Sequence, residues 1–212
     1  MSNRKRVFFT SDTHYFHENV IKFSNRPFRD IDHMHQVLIN NYNSVVGYGG
    51  VCYFLGDFGF AGSAEIKRLI SKLKGTKIII LGNHDKGVNT MYNVGFDAVL
   101  MSSSMIISGE RVTMSHCPLL DTYRENTLGM KGYDGSENWH GEKRHSRFSL
   151  TNEGQFHLHG HIHSPNGGKS KRIEGRQIDV GVDANNYYPL SISKIESDIV
   201  KILRNEKTVD KN

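Results

Sequence analysis

The chain has 212 residues, a formal net charge of +5, 37% hydrophobic residues and 23% charged ones, the proportions of one soluble globular domain and not of a disordered chain. No apolar run approaches the ~18 residues that a membrane span needs, and the basic start Met1–Arg6, followed only by Val7-Phe8-Phe9, is too short for a signal peptide, so no membrane association is expected. Two cysteines, Cys52 and Cys117, supply no disulfide framework and make a cytoplasmic, reducing setting the expectation, while 12 histidines point to metal chemistry.

Arg6–Ser11 (RVFFTS) reads as a buried strand ending in polar residues. From Asp30 to Val45, Ile31, Met34, Leu38, Ile39 and Tyr42 fall on one helical face, with Asp30 as a good N-cap. Val51–Leu55 is a second strand, stopped by Gly56-Asp57. Residues 63–74 predict a helix with Ile66, Leu69, Ile70 and Leu73 on one side and Gly62 or Ser63 at its cap. Lys77–Leu81 is a third strand, stopped by Gly82-Asn83. This order implies parallel strands joined by right-handed crossovers. Short strands follow at about 98–101, 104–108, 110–115, 155–159 and 176–182, and a capping box at Ser193-x-x-Glu196 opens a last amphipathic helix carrying Ile195, Ile199 and Ile202. The expectation is a single α/β domain over 1–212, with two packed sheets flanked by helices.

Five polar motifs each follow an apolar run: Asp12-Thr13-His14, Gly56-Asp57, Gly82-Asn83-His84-Asp85, Ser115-His116-Cys117-Pro118 and His159-Gly160-His161-Ile162-His163. Singly, each reads as well as a turn or a strand end. Together they place Asp12, His14, Asp57, Asn83, His116, His161 and His163 at strand ends, where open α/β sheets bind ligands. Seven mixed nitrogen and oxygen donors exceed the four that one zinc takes, and they suit two divalent ions if one carboxylate bridges. Such a site keeps a net positive charge after Asp12 and Asp57 are counted, which favours an anionic phosphate.

The ordered set resembles the calcineurin-like metallophosphoesterases, whose pattern D-x-H, G-D, G-N-H-[DE], H and G-H-x-H spans residues 8–163 here and extends to Gly181-Val182-Asp183, as in small bacterial and bacteriophage members. The resemblance implies a four-layer α/β/β/α sandwich of two mixed β-sheets. It assigns Asp12, His14, Asp57 and His163 to one metal, and Asp57, Asn83, His116 and His161 to the other, with Asp57 bridging. It makes His84 the catalytic residue that contacts the phosphate or protonates the leaving oxygen, beside a metal-bridged hydroxide as nucleophile. The metals are expected to be Mn²⁺, with Fe, Ni, Co or Zn as alternatives. The Gly56-Asp57-Phe58-Gly59-Phe60 stretch has no Arg where protein phosphatases of that superfamily carry one, which argues against a phosphoserine substrate.

Residues 121–154 are glycine-rich and basic, and read as a lid-like insertion in which Lys143, Arg144 or Arg147 clamps further phosphates while Trp139 or Tyr133 stacks on a base. His17 and Arg26 are further candidates at the entrance. Lys169–Arg172 reads as an exposed basic hairpin loop. His33, His35, His140 and His157 read as surface or packing residues. The expected reaction is phosphodiester hydrolysis on a nucleotide, cyclic nucleotide or nucleic-acid end, with no obligate protein partner. A phosphomonoesterase is the rival within enzymes, and a nucleic-acid-binding protein with structural metals is the rival outside them.

Overall fold

A computed structural model describes residues 6–120, 146–164 and 172–209. Among the described residues, ten strands form two five-stranded mixed sheets. The first runs in the order β10 (Leu190–Ser191), β1 (Arg6–Thr10), β2 (Gly50–Phe54), β3 (Thr76–Ile80), β4 (Ala98–Leu100). β1 to β4 are parallel, and β10 pairs antiparallel along one edge. The second runs β5 (Ser103–Ile107), β6 (Glu110–Met114), β7 (Phe156–His159), β9 (Gln177–Asp179), β8 (Ile173–Glu174). Its three middle strands, β6, β7 and β9, are parallel.

Alternation along the strands explains the layering, because successive side chains leave a strand on opposite faces. Phe8, Cys52, Phe54 and Ile79 point to the face covered by α2 (Ile31–Val45), α3 (Ser63–Ile70) and α4 (Val88–Val94), where Met34, Leu38, Ile66, Leu69 and Met91 complete one core. Phe9, Leu55 and Ile80 point the other way and meet Val112, Met114, Phe156, Leu158 and Ile178 of the second sheet. Ile195 and Ile199 of α5 (Ile192–Val209) join this second core. The result is the expected mixed α/β sandwich of two sheets with flanking helices.

Local signals in the sequence set several boundaries. Asp30 caps α2, accepting from the His33 amide at 2.7 Å, and Gly62 precedes α3 in extended geometry. The last helix starts earlier than the capping box implied. Ser191, the final residue of β10, accepts from the Lys194 amide at 3.2 Å, so the chain passes straight from strand to helix and Ser193 lies inside the first turn. Two short helices, α1 (Asn19–Phe23) and α4, were not anticipated, since one or two turns give no readable periodicity.

Candidate metal centre

All the motifs emerge from the carboxyl ends of parallel strands. Those of β1, β2 and β3 deliver Asp12/His14, Asp57 and Asn83/His84. Those of β6 and β7 deliver His116 and His161/His163. The turns are sewn together by backbone bonds: Asp12 N donates to Gly56 O at 3.1 Å, His14 N to Asp57 O at 3.1 Å, and Gly160 N to His116 O at 2.9 Å. Gly56 permits a close approach. Its φ is +92°, and a Cβ there would stand 2.6 Å from the backbone of Gly82 and from His116 Nδ1.

Five of the seven anticipated ligands are non-glycine residues with positive φ: Asp12 (56°), His14 (48°), Asp57 (54°), His161 (70°) and His163 (46°). A left-handed backbone costs a side-chain-bearing residue on the order of 1–2 kcal/mol. Such strain collects where it positions functional groups.

The donor atoms fall into two groups. His14 Nε2 and His163 Nε2 are 3.1 Å apart, and Asp12 Oδ1 lies 3.9 and 3.8 Å from them. On the other side His116 Nε2 is 2.9 Å from Asn83 Oδ1, 3.2 Å from His161 Nδ1 and 3.5 Å from Asp57 Oδ2. Asp57 Oδ2 is also 3.7 Å from His14 Nε2, so this one oxygen stands between the groups. The buried Cys117 thiol lies beside His116 and His161, and burial raises its pKa to about 12, which keeps it protonated.

The donors fit divalent cations better than they fit one another. His116 Nδ1 lies 2.7 Å from the carbonyl oxygen of Leu55, an acceptor, so Nδ1 carries the proton and Nε2 presents a lone pair to further acceptors. His163 Nδ1 is likewise engaged, with Asp183 Oδ2 at 2.8 Å, and its Nε2 faces His14 Nε2. Asp12 Oδ1 is buried without a hydrogen-bond partner among the described residues. Lone pairs converging in a desolvated place call for positive charge. Donors bound to one ion at ~2.1 Å sit roughly 3.0–3.4 Å apart; the His14–His163 and His116–His161 nitrogens, at 3.1 and 3.2 Å, stand in that range, and the Asp12 and Asp57 oxygens lie somewhat farther off, at 3.5–3.9 Å. Electrostatics agree. Burial lowers the pKa of His14 to about 2, against the pull of Asp57, leaving a neutral imidazole able to bind metal. Burial also works against a charged His116, but the neighbouring Asp57 carboxylate overcomes it and raises the pKa, the mark of a place that favours positive charge. Burial pushes the Asp12 carboxyl up, with His163 and His116 opposing. Asp57 ends below its ordinary value because His116 outweighs its burial.

No family model matches the chain. It is 31% identical to the gene 66 protein of Mycobacterium phage L5 over 87% of this chain and 88% of that protein, and 32% identical to its counterpart in phage D29 over 87% and 89%. The chain belongs to the family of these mycobacteriophage gene 66 proteins. It is also 28% identical to MJ1445, an uncharacterized protein of Methanocaldococcus jannaschii, over 99% of this chain and 97% of that one. Among solved structures, the protein AQ665 of Aquifex aeolicus superposes with a TM-score of 0.66 and 26% identity, covering 91% of this chain and 98% of its own. Yfce, a phosphoesterase from E. coli, overlaps at a TM-score of only 0.42 with 14% identity.

In this gene 66 family member the remaining candidates separate. His84 is exposed, its amide donating to Asp57 Oδ1 at 3.0 Å and its ring 6.0 Å from that of His14. His17 stands at the mouth, its ring 5.5 Å from His14, with burial and then His84 lowering its pKa. Arg26 corrects the expectation of a substrate contact. It is 4% exposed, its guanidinium donates to both carboxylate oxygens of Asp183 at 2.8 Å, and it also donates to the carbonyls of Thr13 and Asp12 at 3.1 and 2.7 Å. It braces the Asp12–His14 turn from behind, with no donor facing the opening. Arg147 is exposed and lies over the Phe148 ring at 4.6 Å. Lys143, Arg144, Trp139, Tyr133, His140 and Lys169–Lys171 lie outside the described residues. Of the basic stretch 169–172, Arg172 is anchored, paired with Asp198 at 2.7 Å. Residues 148–152 of the anticipated insertion pair back onto 117–120, so its second end is a closed base.

Two acidic residues stand in the quoted motifs without a role assigned from the sequence. Asp85 accepts from the amides of Gly82 (2.8 Å), Asp57 (2.9 Å) and Phe58 (2.9 Å), clamping two of the turns together. Burial, reinforced by Asp57, raises its pKa to about 6. Its place as the acidic end of the Gly82-Asn83-His84-Asp85 motif marked it, and the fold supplies the role. Asp183 holds His163 and Arg26 at once, and nothing local to residue 183 announces a partner 20 positions away.

Proposed function

We propose that this protein is a metal-dependent phosphoesterase of the metallophosphoesterase type, acting on the phosphodiester of a nucleotide, cyclic nucleotide or nucleic-acid end. The observation that carries the reading is Asp57 Oδ2 standing within 3.7 Å of His14 Nε2 and 3.5 Å of His116 Nε2, between two groups of donors, with the exposed His84 bonded to the same carboxylate through its amide.

Asp12, His14, His163 and Asp57 would hold one divalent ion, and Asp57, Asn83, His116 and His161 the other. Bound there, a pair of such ions neutralises phosphoryl charge and acidifies water. The protein's own part is to fix the donors on strained turns, to keep His14 neutral by burial, and to orient His163 and His116 through Asp183 and the Leu55 carbonyl. His84, outside both groups and open to solvent, gives a proton to the departing ester oxygen. Two carboxylates, Asp12 and Asp57, do not balance two dications, so an anionic ester is drawn in.

Hydrolysis of bis-p-nitrophenyl phosphate and p-nitrophenyl phosphate with Mn²⁺ tests this. Turnover of the diester ahead of the monoester is expected, and it is expected to vanish with chelator. A reversed preference makes the protein a phosphomonoesterase. No turnover of either ester with Mn²⁺, Fe²⁺, Ni²⁺, Co²⁺ or Zn²⁺ removes the enzymatic reading.

A further inference from the structure

Beside the donor cluster lies a surface that a purely polar site has no use for. Phe23 is 61% exposed and Phe60 37% exposed, and the half-buried His17 sits between them, its ring 5.6 Å from Phe23 and 4.4 Å from Phe60. The arc touches the cluster at both ends: Phe23 is 5.8 Å from His163, and Phe60 is 4.9 Å from His84 and 5.5 Å from His14. A contiguous exposed apolar surface rimmed by polar groups marks an interaction site or a ligand-binding groove.

The backbone holds these rings in place. Phe60 N donates to Tyr15 O at 2.8 Å, next to the Tyr15–Gly59 bridge, and His17 N donates to His14 O at 3.1 Å. At Gly59 a Cβ would meet Tyr15 O at 2.8 Å, so the segment carrying Phe60 is pressed against the segment leading to His17. Phe23 closes α1, whose next residue, Ser24, lies 3.2 Å from His163 Nδ1 through its hydroxyl. A surface ordered in advance binds without the cost of ordering it.

We propose that Phe23, His17 and Phe60 form an aromatic shelf that stacks the base of a nucleotide whose phosphate rests on the Asp12–His163 cluster, an inference that rests on the phosphoesterase reading. Stacking is sequence-tolerant because every base has a π-face, so the shelf selects for a base over a bare sugar phosphate and not for one base.

The test needs no turnover. The full chain loaded with Mn²⁺ is titrated by calorimetry with hydrolysis-resistant methylene phosphonate analogues of adenosine 5′-monophosphate and of methyl β-ribofuranoside 5-phosphate, which carry a base and a methoxy group respectively on the same locked sugar. The adenosine compound is expected to bind about 5- to 100-fold more tightly. Phe23→Ala and Phe60→Ala should each shrink that ratio several-fold, and Phe60→Tyr should restore it. The measure is the ratio within each variant, because Phe60 touches His14 and absolute affinities can move for other reasons. Equal affinity of the two compounds in the parent, or an unchanged ratio in both alanine variants, overturns the shelf and leaves the phosphate site standing. Failure of the loaded chain to bind either analogue, together with no turnover of the nitrophenyl esters, takes away the phosphoesterase reading, and this inference with it.

Discussion

Asp183 Oδ2 accepts the His163 Nδ1 proton at 2.8 Å, and the same carboxylate is bonded twice by the buried guanidinium of Arg26. The arrangement fixes the imidazole tautomer, so that Nε2 faces His14 and Asp12. Burial works against ionisation of Asp183, but His163 and Arg26 hold its pKa below the ordinary value. A carboxylate behind a ligating histidine both orients the ring and raises its basicity.

Asp183→Asn is therefore expected to weaken Mn²⁺ binding about 10- to 100-fold in calorimetric titration. Asp183→Ala is expected to cost more in stability, about 3–5 kcal/mol in urea unfolding, because it strands a buried guanidinium. An asparagine variant with parental metal affinity would show that His163 is oriented by other contacts.

His84→Ala should lower kcat by about 10²- to 10⁴-fold while Mn²⁺ stoichiometry and affinity stay at parental values, since its imidazole lies outside both donor groups. Loss of metal in this variant would place His84 among the ligands.

Metal should stabilise the fold, because the two sheets contribute donors to one cluster. At a free Mn²⁺ concentration a hundred times its Kd, about 2.7 kcal/mol is expected per site, seen as a rise in Tm that chelator reverses. An unchanged Tm with saturating metal would mean that binding is not coupled to the folded arrangement.

Acid stability should depend on His157, which is fully buried, 2.9 Å from Thr113 Oγ1 and 3.2 Å from both Ser115 Oγ and Cys117 O. Burial first, and His159 second, lower its pKa to about 3 from 6.5. The folded state therefore binds fewer protons than the unfolded one between those values. The stability is complete above pH 6.5 and drains away as pH falls towards 3, by on the order of 2 kcal/mol between pH 6.5 and 5. His157→Gln, which cannot charge, should flatten this part of the curve in urea unfolding. An identical slope in parent and variant would assign the acid sensitivity elsewhere.

Gly160→Ala should damage the centre sterically, since a Cβ there collides with Asp12 Oδ2 and Ser11 Oγ. A stability loss of about 1–3 kcal/mol, together with weaker Mn²⁺ binding, is expected from parallel urea and calorimetric measurements.

Much of this protein could be read before its fold was seen. The apolar runs around Phe8-Phe9, Cys52–Phe54 and Ile78–Ile80 identify strands because both faces are buried, and Asp30 identifies a helix start because its carboxylate meets the first orphan amides. The donors Asp12, His14, Asp57, Asn83, His116, His161 and His163 stood out because each sits where an apolar strand stops. All of these are local signals, set by neighbours a few residues away. What only the tertiary structure decided involves partners far apart in the chain: Arg26 turned inward to Asp183, Asp85 tying the turn after β3 to the turn after β2, and Phe60 brought against His17. An arginine before Pro27 looks the same in sequence whether it faces solvent or a buried carboxylate 157 positions later, because that choice is made by desolvation and pairing when the sheets close.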